Sequence, residues 1–309
     1  MPLNSIPPTT TVGNLETKRA AALGQCWTDV GFWGGVIPGN QGNLRSLIDA
    51  GVKGFKCFMI ESGVEEFPCV SEDDLNKAAP EIAGRSVLLF HAEVDDSSNH
   101  SDDDLTDPNP DRTSYTTLLK RFPHLDAHIV HLSTAAALPL IRQAKEASLK
   151  LTVETCFHYL CLASHAIPMG NQNSNANNQD ELWAALDSGL IDCVVSDHSP
   201  CVAELKRSVT ASGDGDFISA WGGISTLGLG LSLLWTEGVR KRQIKPGKVV
   251  RWISEASAKH GRINDTKGSI AVGKDGDLVV FDPEEQFMLT PYAGSHVYGQ
   301  VKQVYIRGN

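Results

Sequence analysis

Six short runs rich in apolar and β-branched residues recur at 27–34, 54–60, 86–91, 127–131, 149–155 and 191–196. Helix-length segments lie before and between them, at 14–22, 43–50, 71–83, 115–122, 135–147 and 180–188. A connection of that length returns the chain to a parallel neighbour, whereas antiparallel neighbours need only a tight turn. The alternation therefore predicts an α/β chain built on a parallel sheet, and the repeated unit is that of a (β/α)₈ TIM-type barrel. Six of eight units are visible. The first strand and part of the second are expected to be missing, because they would have to precede Trp27, where only the stub at residues 1–5 remains. Such a gap would leave unpaired strand edges, which favour aggregation or association.

The pattern changes after residue 224. A long helical stretch and a second one at 246–261 lead into 267–282, which is expected to form two short strands with turns at Gly273 and Gly276. Together with 300–306 these form the remnant of a small β-sandwich, so the chain divides into an incomplete barrel at 1–262 and a β fragment at 263–309. The run 171–179, mostly Asn and Gln, is too poor in apolar residues to pack a core and is expected to be a polar loop.

Charge and cysteine usage narrow the function classes. The 27 basic and 37 acidic residues give a net charge of −10, which repels phosphate backbones and weighs against a nucleic-acid partner. The longest apolar run, 227–235, is interrupted by Gly228 and Gly230, so no membrane span is expected. Seven cysteines without a framework spacing, and an opening without a basic region and apolar stretch, predict a cytoplasmic protein.

Four chemically capable side chains stand at the C-terminal ends of expected strands: Lys56, His91, His131 and Asp197. That end of the strands is where barrel enzymes place their active sites. Imidazoles and a carboxylate suit Zn²⁺, while a lysine binds metal only when neutral or chemically modified. Taken singly, each has a plainer explanation: a hydrogen-bonded structural histidine, or a lysine that snorkels outwards. Their shared position is the argument for a site.

The segments carrying them, Gly54-Phe-Lys56-Cys-Phe-Met, Phe90-His91-Ala-Glu, Ile129-Val-His131-Leu-Ser, Glu154-Thr-Cys-Phe-His-Tyr-Leu and Val195-Ser-Asp197-His-Ser-Pro-Cys, resemble the cyclic amidohydrolases, and within them the allantoinase branch. Ala220-Trp-Gly-Gly-Ile-Ser and Gly268-Ser-Ile-Ala-Val-Gly-Lys-Asp-Gly-Asp-Leu fit as well, and 1–8 resembles the segment that closes the family's second barrel strand. The resemblance implies a two-zinc site bridged by Lys56 as its carbamate. His91 and His131 would ligate one zinc; Asp197 would touch the other and handle the proton. The implied substrate is the small molecule allantoin, opened to allantoate, and the implied assembly is a homotetramer. Hydantoinase and dihydroorotase chemistry is the neighbouring alternative.

Three departures bear on activity. The family's His-Xaa-His pair has no counterpart anywhere in the chain; residues 167–177 stand where a Pro-Pro-Ile-Arg-like segment would hold substrate; and Phe157 replaces a proline. At most one tightly held zinc is therefore expected, and an inactive scaffold or truncated product is a competing possibility. His158 and His198 are expected to be structural, a hydrogen-bonding role for His198 being favoured over the alternative of orienting Asp197 or the substrate. Cys57, Cys156, Cys161 and Cys201 are expected to be small buried apolar residues. Trp221 and the glycines after it are expected to pack beneath the site. Ser71 to Asp74 should form a helix N-cap, and Asp102 to Asp104 a solvated acidic face.

Overall fold

A computed structural model of the chain describes residues 1–93, 114–162, 176–207, 213, 215–216, 219–288 and 296–309. The chain divides into two units, one of residues 1–130 and 136–153, the other of 131–135 and 154–309.

In the first unit α1 (Val12–Ala22), β1 (Gly34–Gly35), α2 (Leu44–Asp49), β2 (Phe55–Phe58), α3 (Glu72–Ile82), β3 (Val87–His91), α4 (Ser114–Arg121), β4 (Asp126–Ile129) and α5 (Leu138–Glu146) follow in order, ending in the start of β5 (Leu151–Cys156). Every strand pairs in parallel with the next in sequence. All four residues of β2 and the first four of β3 are buried, as a parallel sheet covered on both faces requires. Helix α3 begins as its sequence predicts: the Ser71 hydroxyl accepts from the Asp74 N–H, and the Asp74 carboxylate accepts from the Ser71 N–H. The cluster at 102–104 lies outside the described residues.

The strand expected at 27–34 is corrected to Gly34–Gly35, and Trp27 is 98% exposed. Glycines are required there because a Cβ on Gly34 would come within 2.8 Å of the Phe55 ring, and one on Gly35 within 2.4 Å of Phe67. The same glycines weaken the run as a strand. On the outer side of β1, the Gly35 N–H donates to the Thr9 carbonyl at 2.9 Å, and Asn40 Nδ2 donates to the Gly35 carbonyl at 2.9 Å. Thr9 and Thr10 are buried. The N-terminal residues thus occupy an edge that the sequence led us to expect bare.

The second unit contains the end of β5, α6 (Phe157–Cys161), α7 (Ala176–Ser188), β6 (Cys193–Val195), α8 (Gly230–Leu234), α9 (Pro246–Val250), α10 (Ala256–His260), β7 (Leu278–Met288) and β8 (His296–Tyr305). Wider helical turns at Trp235–Lys241 and Arg251–Glu255 extend α8 and join α9 to α10. Strands β5 and β6 are parallel, with Cys156 opposite Val195. Among the described residues no helix is long and apolar enough to cross a membrane.

Two expectations are revised here. Residues 267–277 form turns rather than two short strands, because Gly268 and Gly273 have positive φ and Lys267 gathers Asp275 (2.8 Å) and Asp277 (2.5 Å) into a closed loop. The antiparallel element is instead the longer β7–β8 pair. It sits on the helical turns before it: Ser232 Oγ donates to the Gly299 carbonyl at 2.7 Å, and Trp235 meets Phe281 edge-on at 5.0 Å between ring centres. The polar run also differs in part, since 176–179 begin α7 and 171–175 lie outside the described residues. Asn178 earns its helical place by closing onto the 131–135 segment, accepting from the Ala135 N–H at 2.6 Å and donating to the Ser133 carbonyl at 2.9 Å.

Candidate functional site

In the first unit Lys56 and His91 come together across one aromatic ring. The β2–β3 register sets Phe58 opposite His91 and Lys56 opposite Leu89, so Lys56, Phe58 and His91 share one face of the sheet. The His91 ring stacks on Phe58 with centres 4.4 Å apart, and Lys56 Nζ lies 4.7 Å from the centre of the same ring. Lys56 is 4% exposed, which excludes the snorkelling alternative. His91 Nε2 lies 2.8 Å from Glu93 Oε2. The neighbouring Cys57 thiol is buried and pushed up to about 12 by that burial, so it stays protonated and plays the small apolar part expected of it.

In the second unit His131 and Asp197 follow β4 and β6, and both have left-handed backbone, φ 39° and 41°. A non-glycine residue holds that conformation only where its surroundings fix it, and such residues concentrate at functional sites. His131 is anchored by its neighbour, as the Leu132 N–H donates to the Glu154 carbonyl at 2.8 Å.

Asp197 has company the sequence did not lead us to expect. Cys156, His158 and Asp197 place their donor atoms within 4.8 Å of one another. Burial holds the His158 imidazole below its ordinary range, with the Asp197 carboxylate opposing that shift. His158 Nδ1 is buried with no hydrogen-bond partner among the described residues. Cys156, expected only as a small apolar filler, is buried beside two groups that could ligate a metal. The signal that could have revealed this is the Cys-Xaa-His spacing at a strand end, with an aspartate after the next strand.

Phe157, the replacement for proline, has a local explanation. Its buried ring sits on Gly230, where a Cβ would lie 2.1 Å from the ring. Gly230→Ala is expected to cost about 1–3 kcal/mol by overpacking, seen as a lower urea midpoint at unchanged m-value. An unchanged midpoint would mean that Phe157 moves without penalty.

His198 is held as expected of a structural histidine. Its Nδ1 accepts from the Thr226 N–H at 3.2 Å and the Leu227 N–H at 3.1 Å, which leaves the ring proton of the neutral imidazole on Nε2. The glycine pair after Trp221 allows a close approach, because a Cβ on Gly223 would lie 2.4 Å from Ser199 Oγ. Trp221, expected to pack beneath the site, is 46% exposed. Of residues 167–177, where the substrate-holding segment was sought, 167–175 lie outside the described residues and 176–177 begin α7.

Residues 6–309 match the model of the amidohydrolase family. The chain belongs to the amidohydrolase family. Among its relatives, the allantoinase of Streptomyces avermitilis is 42% identical, with 100% of this chain and 74% of that protein covered. The allantoinase of Saccharomyces cerevisiae is 39% identical over 100% of this chain and 73% of that one. The mitochondrial allantoinase of Aquarana catesbeiana is 46% identical over 84% and 57%. Among solved structures, an L-hydantoinase (dihydropyrimidinase) from Arthrobacter aurescens superposes with a TM-score of 0.86 at 26% identity, covering 100% of this chain and 75% of that one. As an amidohydrolase the chain is a hydrolase acting on cyclic amides, it carries the family's TIM-type α/β fold, and candidate metal-binding residues are present.

Proposed function

We propose that this amidohydrolase opens the ring amide of allantoin to give allantoate, in a metal-dependent reaction. The observation that carries it is likeness to allantoinases over the whole chain, at 42% and 39% identity in two distant organisms. We assign Lys56, as its carbamate, His91, His131 and Asp197 to hold the metal, and the donor chemistry of imidazole and carboxylate fits zinc. The unsatisfied ring nitrogen of His158 next to Asp197 supports a cation on that side of the site.

Bound zinc supplies a Lewis acid that acidifies water and polarises a carbonyl. The Lys56 amine gains its carboxylate by forming an N–C bond with CO₂ and releasing a proton. Asp197 takes the proton of the attacking water on a carboxylate oxygen and returns it to the departing ring nitrogen. One ring C–N bond breaks, one C–O bond forms, and His198, with its proton on Nε2, keeps the Asp197 strand end in register with 224–227.

We take residues 1–262 as the α/β body and 263–309 as the β fragment of a cytoplasmic homotetramer. None of the seven cysteines is in a disulfide, which supports a reducing compartment.

The absence of a His-Xaa-His pair favours one competing reading, an amidohydrolase without activity. The test is allantoate formation by the whole chain with zinc and bicarbonate, run beside hydantoin and dihydroorotate. Turnover of allantoin above the zinc-only control supports the proposal. Turnover of another ring alone reassigns the substrate, and turnover of none favours the inactive form.

A further inference from the structure

We propose that Cys156 and His158 join Asp197 in ligating a transition metal, so that a thiolate, an imidazole and a carboxylate converge on one ion. It deepens the metal-dependent function proposed above, on which it rests only for the metal's part in hydrolysis, by naming two donors beside Asp197.

Local structure converges on the site from two strands. The parallel register sets Cys156, the last residue of β5, against Val195 in β6. Two residues further along each chain stand His158, in the first turn of α6, and Asp197. The three donor atoms lie within 4.8 Å of one another. Ligands around a tetrahedral zinc are roughly 3.5 Å apart, given bonds of about 2.0–2.3 Å, so closure of about an ångström completes the geometry.

A second observation points to a cation. His158 Nδ1 is buried and has no hydrogen-bond partner among the described residues. A buried polar atom without a partner is uncommon and asks for an explanation. A metal bond from that nitrogen supplies one. The neighbouring ring of Tyr159, 4.2 Å away between centres, offers the imidazole an aromatic contact and no acceptor in its place. Sulfur and nitrogen donors select zinc, or cobalt as its substitute, over magnesium and calcium. Three protein ligands leave one position for water, as in sites that do chemistry rather than brace a fold.

The test uses the whole chain loaded with metal. With cobalt(II) in place of zinc, a thiolate-to-metal charge-transfer absorption is expected in the near ultraviolet, rising to one equivalent. Cys156→Ser should remove that absorption and weaken binding at least ~10-fold, and His158→Gln should weaken binding to a similar degree, by comparison with the 10–100-fold losses seen for residues that only support ligands. X-ray absorption at the zinc edge of the unaltered chain needs no variant, and one sulfur neighbour at about 2.3 Å is expected. Bound metal without a sulfur neighbour, or an absorption that survives Cys156→Ser, overturns the site. The two proposals fail separately: the absorption without allantoin turnover keeps the site and removes the substrate, whereas turnover without it does the reverse.

Discussion

Asp197→Asn is expected to lower kcat for allantoate formation by about 10²–10⁴-fold, the range over which a positioned acid–base group contributes. Asparagine matches the aspartate in shape and is among the residues that best tolerate the left-handed backbone found here, φ 41°, so the strand end should keep its form. What is lost is an oxygen able to take a proton from water and return it to the ring nitrogen. Metal content measured on the same samples separates the two roles given to Asp197. Lost turnover with retained zinc assigns it to proton transfer, and loss of both assigns it mainly to holding the ion. Undiminished turnover would remove Asp197 from the reaction.

The strand-and-helix alternation was legible because its cause is local. Fully buried parallel strands read as continuous apolar runs, and the ends of β2, β3, β4 and β6 fall within a few residues of where the sequence placed them. The 27–34 strand was not legible in the same way. Whether a β-branched run becomes a strand depends on what packs on it, and there Phe55 and Phe67 press on Gly34 and Gly35. The 267–277 segment misled for a related reason: its alternating apolar residues suit a hairpin, but a lysine bridging two aspartates fixes it as a loop. The strand-end rule singled out Lys56, His91, His131 and Asp197, of which Lys56 and His91 share one face of the sheet. It missed Cys156 and His158 because their meeting with Asp197 depends on the β5–β6 register, which sequence spacing does not state.

Lys56→Ala should abolish most turnover, and a short carboxylic acid should restore part of it. Lys56 is buried, carries its amine over the Phe58 ring, and shares a sheet face with His91. As a carbamate its side chain places a carboxylate where an ammonium would repel a cation. Losing several kcal/mol of Lewis-acid stabilisation corresponds to a fall of ~10³-fold. Alanine leaves behind the volume of the lysine stem, and acetate or propionate can enter that space and present the missing carboxylate. Lys56→Met fills the same space without one, so it should be as inactive as the alanine variant and indifferent to added acid. The contrast separates chemistry from packing, because a purely structural lysine would be replaced better by methionine than by alanine. Bicarbonate should raise the activity of the unaltered chain and leave both variants unchanged. Rescue of neither variant, or full activity of Lys56→Ala without additive, would show that the lysine serves the fold and carries no carbamate.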